Sequence, residues 1–240
     1  MTDQRDGRSP WVRARRALPN RPRAAKRALS LLAGLHDLGW HRSAIERAPV
    51  DAAGRPIPWF TYPALLWLGP RLNSSLRVFE YGAGNSTRWF AGRCASVTSV
   101  DHDPRWIDAL RPEVPAHVEL LFRSTAGDDL EAPAGDPYVE AIGNVASYDV
   151  VVIDGRARVA CARRALPHLA PDAIAILDNA DRPSLAPVLG LAAELGLQRI
   201  DFSGPVPGAG RLSTTSVLGA ELTRWVTPAP ALPQLGYEGH

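Results

Sequence analysis

Acidic side chains in this 240-residue chain stand at or just beyond the ends of short apolar runs, where a carboxylate could hold a cation or accept a proton. Runs of this length and composition predict buried parallel strands. The carboxyl ends of such strands meet at one edge of a sheet, which is where ligands bind. We therefore expect one shared site from four acids, Glu80, Asp101, Asp154 and Asp178.

A glycine turn follows the first apolar run, and residues 80–87 read EYGAGNST. Gly82 and Gly84 allow a positive φ or a close approach of the backbone to a ligand. The polar residues 85–87 can cap a following helix. Asp101 ends the next run, 17 residues beyond Gly84, where its carboxylate could accept hydrogen bonds from both hydroxyls of a ribose. This order predicts the first half of a doubly wound nucleotide site.

The turn does not match a dinucleotide fingerprint, which needs a third glycine to admit a pyrophosphate. Thr87 stands at that position, and Glu80 would repel a pyrophosphate while suiting an ammonium group. An NAD-dependent oxidoreductase is therefore disfavoured.

The pattern ExGxGxST resembles the first motif of class I S-adenosylmethionine-dependent methyltransferases, and residues 100–103 (VDHD) resemble their second. The resemblance spans residues 59–218. It implies S-adenosylmethionine as cofactor and a cofactor site that also includes the loop after strand three and the aromatic segment near Trp59. The implied cofactor-binding residues are Glu80, Tyr81, Gly82, Gly84, Asn85, Ser86, Thr87, Asp101, His102, Ser124, Thr125, Asp154 and Tyr62.

A second group of strand-end residues, Asp154, Asp178 and Asn179, offers two carboxylates and an amide oxygen, a set that suits Mg²⁺. They resemble the metal ligands of catechol O-methyltransferase-like enzymes, and the resemblance implies that Asp154 and Asp178 are catalytic. The catalytic lysine of that family is missing, because the only lysine is Lys26. Capping of the strand ends and direct contact with substrate are the alternatives to a metal.

Two arginines, Arg156 and Arg158, stand where that family has its lysine. Arginine stays protonated and cannot act as a general base. Its guanidinium group suits a carboxylate or phosphate of an acceptor, and the alternative is a pair of surface arginines at the start of a helix.

Hydrophobic periodicity predicts an α/β fold with a Rossmann-like, doubly wound, mostly parallel seven-stranded sheet. The Gly/Pro-rich segment 203–210 is too short for a crossover helix, so the last two strands are expected to form an antiparallel hairpin at the edge. We predict a basic disordered tail at 1–22, a helical extension at 23–70, the methyltransferase-like domain at 71–222 and a tail at 223–240.

Composition is ordinary for a soluble globular protein, with 45% hydrophobic and 22% charged residues. No apolar run reaches membrane-spanning length, and the N-terminus does not resemble a signal peptide, so a cytoplasmic protein is expected. Cys94 and Cys161 fall in predicted helices and are expected to be buried free thiols.

The net charge of +2 is unevenly distributed, because the first 30 residues hold nine Arg or Lys and two Asp. A solvated tail explains this most simply. Contact with RNA, contact with an anionic surface and packing against the second subunit of a homodimer are the alternatives.

These features together predict an S-adenosylmethionine-dependent methyltransferase that O-methylates a small molecule or a sugar hydroxyl, with Mg²⁺ as a candidate second cofactor. An RNA methyltransferase that uses the basic N-terminus is one alternative. A Rossmann-like binding protein without catalytic activity is the other, since fold alone does not decide function.

Overall fold

The computed structural model describes residues 22–226, in which one sheet carries helices on both faces. Its strands are β1 (Arg77–Tyr81), β2 (Ser96–Asp101), β3 (Val118–Phe122), β4 (Val150–Ile153), β5 (Ile174–Leu177), β6 (Gln198–Pro205) and β7 (Leu212–Gly219). The α-helices are α1 (Pro22–Asp37), α2 (Trp40–Glu46), α3 (Tyr62–Leu68), α4 (Asn85–Ala91), α5 (Pro104–Leu110), α6 (Arg158–Ala165), α7 (Ala186–Glu194) and α8 (Thr223–Val226).

The strand order is β3-β2-β1-β4-β5-β7-β6, and β7 runs antiparallel to both of its neighbours. The predicted parallel sheet with a hairpin at one edge is confirmed. Tyr81 pairs with Ile153, and Ile153 pairs with Leu177, so β1, β4 and β5 end level with one another. This register brings the residues after these strands to one edge of the sheet.

Alternate residues of the central strands enter two hydrophobic cores, one on each face of the sheet. Phe79, Val151 and Ala175 belong to one core, and Val78, Val150 and Ile174 belong to the other. The period of two follows from the pleat of a β-strand. Burial on both faces explains why these strands are apolar throughout.

The loop between β6 and β7, residues 206–211, packs against α2. Trp40 Nε1 donates a hydrogen bond of 3.0 Å to the carbonyl of Ala209, and Trp59 Nε1 donates one of 3.1 Å to that of Pro207. Gly208 has a φ of 67°, and an added Cβ would lie 2.8 Å from the backbone of Ser43 and Ala44. The helical segment before β1 is thus fastened to the hairpin at the opposite end of the chain.

Three expectations need correction or lie beyond the described residues. Residues 1–21 and 227–240, which hold most of both predicted tails, lie outside them. Residues 223–226, placed in the C-terminal tail, form α8, and Trp225 is buried in the core. Both cysteines are buried and free as expected, but Cys94 lies beyond the end of α4 instead of within a helix.

Candidate functional site

The turns after β1 and β4 touch each other through glycine backbones. Gly82 has a φ of 93°, and a Cβ atom there would lie 2.9 Å from the Cα of Gly155. A Cβ at Gly155 would overlap the hydroxyl of Tyr138 and lie 2.8 Å from the nitrogen of Gly82. Only glycine fits at this contact, which brings the two loops to the same point on the sheet edge.

Glu80 is fully buried behind the glycine turn. Its Oε2 accepts hydrogen bonds from Thr87 Oγ1 at 2.5 Å and from Ser99 Oγ at 2.8 Å. Thr87 Oγ1 in turn accepts the N–H of Gly84 at 2.9 Å. Glu80 therefore positions the turn through Thr87, and the contact of both side chains with the cofactor stays a prediction. Gly84, and not the polar residues 85–87, occupies the N-cap position of α4.

Burial raises the pKa of Glu80 to about 7, although the hydroxyls of Ser86, Thr87 and Ser99 act in the opposite direction. Desolvation disfavours the carboxylate, and the nearby hydroxyls recover only part of that cost. The proton on this acid is thus held near neutral pH in the folded state.

Asp101 lies at the carboxyl end of β2 and holds the rim of the turn. Its Oδ2 accepts the N–H of Ala83 at 3.1 Å, and its Oδ1 accepts that of Asp103 at 3.0 Å. The Nδ1 atom of His102 lies 3.1 Å from the same Oδ1. These contacts fix the direction of the carboxylate.

A cavity of about 410 Å³, the glycine-loop cavity, opens beside this turn. Its lining consists of Arg47, Ala48, Pro49, Trp59, Gly82, Ala83, Gly84, Asn85, Ser86, Asp101, His102, Trp106, Asp154, Gly155 and Arg156. The structure thus brings together many of the predicted cofactor residues, among them Gly82, Gly84, Asp101 and Asp154.

Other predicted cofactor residues lie away from this cavity. Tyr81 is fully buried, and its hydroxyl donates a hydrogen bond of 2.7 Å to the carbonyl of Val139. Thr125 donates to Asp136 Oδ2 at 3.1 Å, and the neighbouring Ser124 is exposed. Tyr62, the first residue of α3, is buried in the core, and burial raises its pKa to about 12. Tyr81, Thr125 and Tyr62 thus have structural surroundings, Ser124 does not, and the contact of all four with a cofactor stays a prediction.

A second cavity of about 580 Å³, the arginine cavity, adjoins the first. Its lining consists of Ser43, Ala44, Arg47, Trp59, Asp154, Arg158, Asp178, Asn179, Arg182, Val206, Pro207, Gly208, Ala209 and Arg211. Arg47, Trp59 and Asp154 line both cavities. The loop 206–209 and the end of α2 form one side of this cavity, and the loops after β4 and β5 form another.

The guanidinium group of Arg158 lies among the three predicted metal ligands. It donates to Asp154 Oδ1 at 2.8 Å, to the carbonyl of Asp178 at 2.9 Å and to Asn179 Oδ1 at 3.4 Å. It also donates to the carbonyls of Gly155 and Asp154, each at 2.9 Å. The guanidinium group of Arg158 thus occupies the position where Mg²⁺ was expected.

The carboxylate of Asp178 is also occupied by side chains. Thr215 Oγ1 donates to its Oδ1 at 2.7 Å, and Asn179 Nδ2 donates to its Oδ2 at 2.7 Å. Within residues 22–226, no cluster of three or more His, Cys, Asp or Glu side chains could hold a metal. The predicted Mg²⁺ site at Asp154, Asp178 and Asn179 does not fit these contacts, because the side chain of Arg158 supplies the positive charge.

The two carboxyl groups beside Arg158 have raised pKa values. Burial raises the pKa of Asp178, and the nearby charge of Asp154 raises it further. Burial also raises the pKa of Asp154, although Arg158 and Arg182 oppose this shift. The Oδ2 atom of Asp154 accepts no hydrogen bond from any residue that the structure describes, and the side chain is 26% exposed. Asp154 can therefore take up a proton from a molecule in either cavity.

Comparisons with known proteins find similarity in structure alone. No protein-family model matches the sequence. No curated protein matches it either. A methyltransferase-like protein from Silicibacter pomeroyi is 25% identical, with 69% of this chain and 90% of that chain covered and a TM-score of 0.42. An O-methyltransferase from Bacillus cereus in complex with SAH is 16% identical, with 70% and 86% covered and a TM-score of 0.48. Precorrin-6y C5,15-methyltransferase from Geobacter metallireducens is 14% identical, with 66% of this chain and 87% of that chain covered and a TM-score of 0.49.

Likeness at this level says nothing about what this chain binds. The strand order of the chain itself is more specific: five parallel strands, and then a hairpin in which only β7 is reversed. The glycine turn follows β1, and Asp101 ends β2, as the two sequence motifs require. The fold is that of the class I S-adenosylmethionine-dependent methyltransferases. In this methyltransferase fold the two cavities lie at the carboxyl edge of the sheet.

Several residues that line the two cavities were not predicted from the sequence. Trp106 Nε1 donates to the carbonyl of Ala83 at 2.7 Å, which places its ring beside the glycine turn. Arg47 follows α2 with a φ of 54°, a conformation that few non-glycine residues adopt. That conformation and the contact of α2 with the hairpin are tertiary features without a local sequence signal. For Trp106, its place in the first turn of α5 after an acid-ended strand was a usable signal.

Proposed function

We propose that this chain is an S-adenosylmethionine-dependent methyltransferase that methylates a hydroxyl group of a small molecule or a sugar, without a metal ion. The observation that carries the proposal is the meeting of the glycine-loop cavity and the arginine cavity at Asp154. A methyl donor in the first cavity and an acceptor in the second would face each other across this residue.

The residues of the glycine-loop cavity fit the cofactor. Gly84 has extended backbone, and an added Cβ would meet only Trp106, at 3.9 Å. The space beside the turn is therefore open to a ligand. The carboxylate of Asp101 would hold the ribose hydroxyls, and Gly82 and Gly84 would let the methionine portion approach the backbone. S-adenosylmethionine, when bound, supplies a methyl group on a sulfonium, which is a strong electrophile.

The role of the protein is then mainly to align the acceptor, because proximity and orientation account for much of the rate of such displacements. An acceptor hydroxyl must also lose a proton. The unpaired Oδ2 of Asp154 is suited to take it, since a carboxyl group with a raised pKa is a stronger base. Arg158 holds the other oxygen and so orients the group.

Titration of the protein with S-adenosylhomocysteine, the product form of the cofactor, tests the proposal. We expect one site with micromolar affinity. Gly84→Arg should abolish this binding, because its side chain would fill the cavity, and the thermal midpoint should stay unchanged. Gly190→Arg, on the exposed side of α7, is the matched control and should bind like the wild type.

Two results would count against the proposal. Wild-type affinity in Gly84→Arg would place the cofactor elsewhere. If the folded wild type does not bind S-adenosylhomocysteine, the proposed methyltransferase activity is refuted. A binding protein that has kept only the fold would then be favoured.

A further inference from the structure

The charges that line the arginine cavity are unbalanced. Four arginines face two aspartates there. Arg158 is fully engaged, since it donates to Asp154 and to three backbone carbonyls, and its side chain is only 12% exposed. The charges of the other arginines, Arg47, Arg182 and Arg211, are not compensated in this way.

No described carboxylate lies within 4.0 Å of the guanidinium group of Arg47, Arg182 or Arg211, and none of these groups donates a hydrogen bond within residues 22–226. Many other arginines of the chain pair with acids, as Arg42 does with Glu46 and Arg164 with Glu140.

Two acids near the three arginines are committed to other contacts, and Asp154 is paired with Arg158. Asp181 Oδ1 accepts Ser213 Oγ and the N–H of Thr214, each at 2.8 Å. Both oxygens of Asp178 are hydrogen-bonded to side chains. The positive charge at the cavity is therefore available to a ligand.

The three arginines come from separate parts of the chain. Arg47 follows α2 in a left-handed conformation, Arg182 follows β5, and Arg211 precedes β7. The packing of Gly208 against Ser43 and the hydrogen bond from Trp40 to Ala209 hold the first and last of these segments together. Tertiary structure thus gathers three unpaired cations around one cavity next to Asp154.

We propose that the acceptor of this enzyme is an anion, and that Arg47, Arg182 and Arg211 bind its carboxylate or phosphate group while its hydroxyl lies at Asp154. Guanidinium groups bind both of these anions through paired hydrogen bonds. That this anion is the methyl acceptor rests on the proposed function. Binding of the anion at the three arginines can be measured without turnover.

The experiment is calorimetric titration of the full chain, loaded with S-adenosylhomocysteine, against two matched pairs of probes. One pair is 3,4-dihydroxybenzoate and its methyl ester, and the other is ribose 5-phosphate and ribose. We expect at least one anion to bind tenfold or more tightly than its neutral partner. The pair that shows the difference identifies the anion as a carboxylate or a phosphate.

The double variant Arg182→Gln/Arg211→Gln should lose that preference, with a tenfold or greater fall in anion affinity and unchanged S-adenosylhomocysteine binding. The control Arg111→Gln/Arg199→Gln removes two exposed arginines outside both cavities and should behave like the wild type.

Equal binding within both pairs, no binding of either anion, or an unchanged preference in the double variant would overturn the anion site. If the wild type binds an anion at these arginines but does not bind S-adenosylhomocysteine, the proposed function is overturned and the anion site is not. The two failures are therefore distinguishable.

Discussion

At the scale of single residues, the same side-chain types serve different purposes depending on what surrounds them. Glu80 and Asp101 both stand at the ends of strands beside the glycine turn. Glu80 is fully buried and supports the turn through Thr87, whereas Asp101 lines the cavity. Burial, which sequence periodicity indicates only coarsely, distinguishes the surroundings of these two acids.

Glu80 should make the stability of the protein depend on pH. Its pKa rises from 4.5 to about 7 on folding because the carboxyl group is desolvated. The native state then binds a proton that the unfolded state releases, so the contribution of Glu80 to stability is greatest below pH 4.5 and falls as the pH rises to 7. The loss is about 3 kcal/mol and levels off above this range.

Glu80→Gln removes this titration. Chemical denaturation at a series of pH values should therefore show a smaller decline for the variant than for the wild type between pH 4.5 and 7. Parallel stability profiles would show that Glu80 is ionised in both states.

From the ion pair between Asp154 and Arg158 we predict that turnover needs no metal ion. EDTA and added Mg²⁺ should leave the initial rate of methyl transfer unchanged, because Arg158 already supplies the cation. Asp154→Asn should lower kcat by about 10²–10⁴-fold, the range for loss of a general base. S-adenosylhomocysteine affinity should change little. A rate that collapses in EDTA and returns with Mg²⁺ would refute the metal-independent mechanism.

At the scale of elements, the loop between β6 and β7 is as important to the site as the strand ends. Val206–Ala209 line the arginine cavity, and Trp40 and Trp59 hold that loop against the helical segment before β1. The hairpin was predicted from loop length, but its contact with α2 was not. Such a contact joins residues more than 140 positions apart, and no local pattern encodes it.

Gly208→Ala should disturb this contact. The residue has a φ of 67°, and the new Cβ would meet the backbone of Ser43 and Ala44 at 2.8 Å. We expect a loss of about 1–3 kcal/mol in the free energy of unfolding. The KM for the acceptor should rise more than that for the cofactor.

Gly210→Ala lies in the same loop with no neighbour within 4 Å of the added Cβ, and is the matched control. Urea denaturation of both variants checks the prediction. Equal stability of the two would mean that the loop is not held by α2.

At the scale of the whole molecule, the folded unit extends beyond the predicted domain boundary at residue 222. Trp225 is 4% exposed, and its Nε1 donates to the carbonyl of Asp172 at 2.8 Å. Arg71 Nε donates to the carbonyl of Trp225 at 2.5 Å. The helix α8 thus closes one core beside the start of β5. No helix within residues 22–226 is long and apolar enough to span a membrane.

Trp225→Ala should therefore destabilise the entire fold by about 3–5 kcal/mol, the cost of emptying a large buried site. Val226→Ala, one residue further and 41% exposed, should cost much less. Thermal unfolding of the two variants provides the measurement. A small effect of Trp225→Ala would show that α8 is dispensable to the core.

The sequence by itself determined the order of strands, turns and helices, the glycine turn and the acids at the strand ends. These features depend on local periodicity and on backbone freedom, which a short segment carries within itself. The predicted parallel strands and the predicted hairpin at the edge of the sheet are both present in the structure.

Only the tertiary structure decided what the acids contact and which residues line the arginine cavity. The sequence suggested Arg158 as a candidate for substrate binding. In the structure its guanidinium group is hydrogen-bonded to Asp154, Asp178 and Asn179, where a metal ion was expected. The assembly of Arg47, Arg182 and Arg211 around one cavity likewise depends on contacts between distant segments. The physical reason is that desolvation and charge pairing are set by neighbours in space, which one chain segment does not specify.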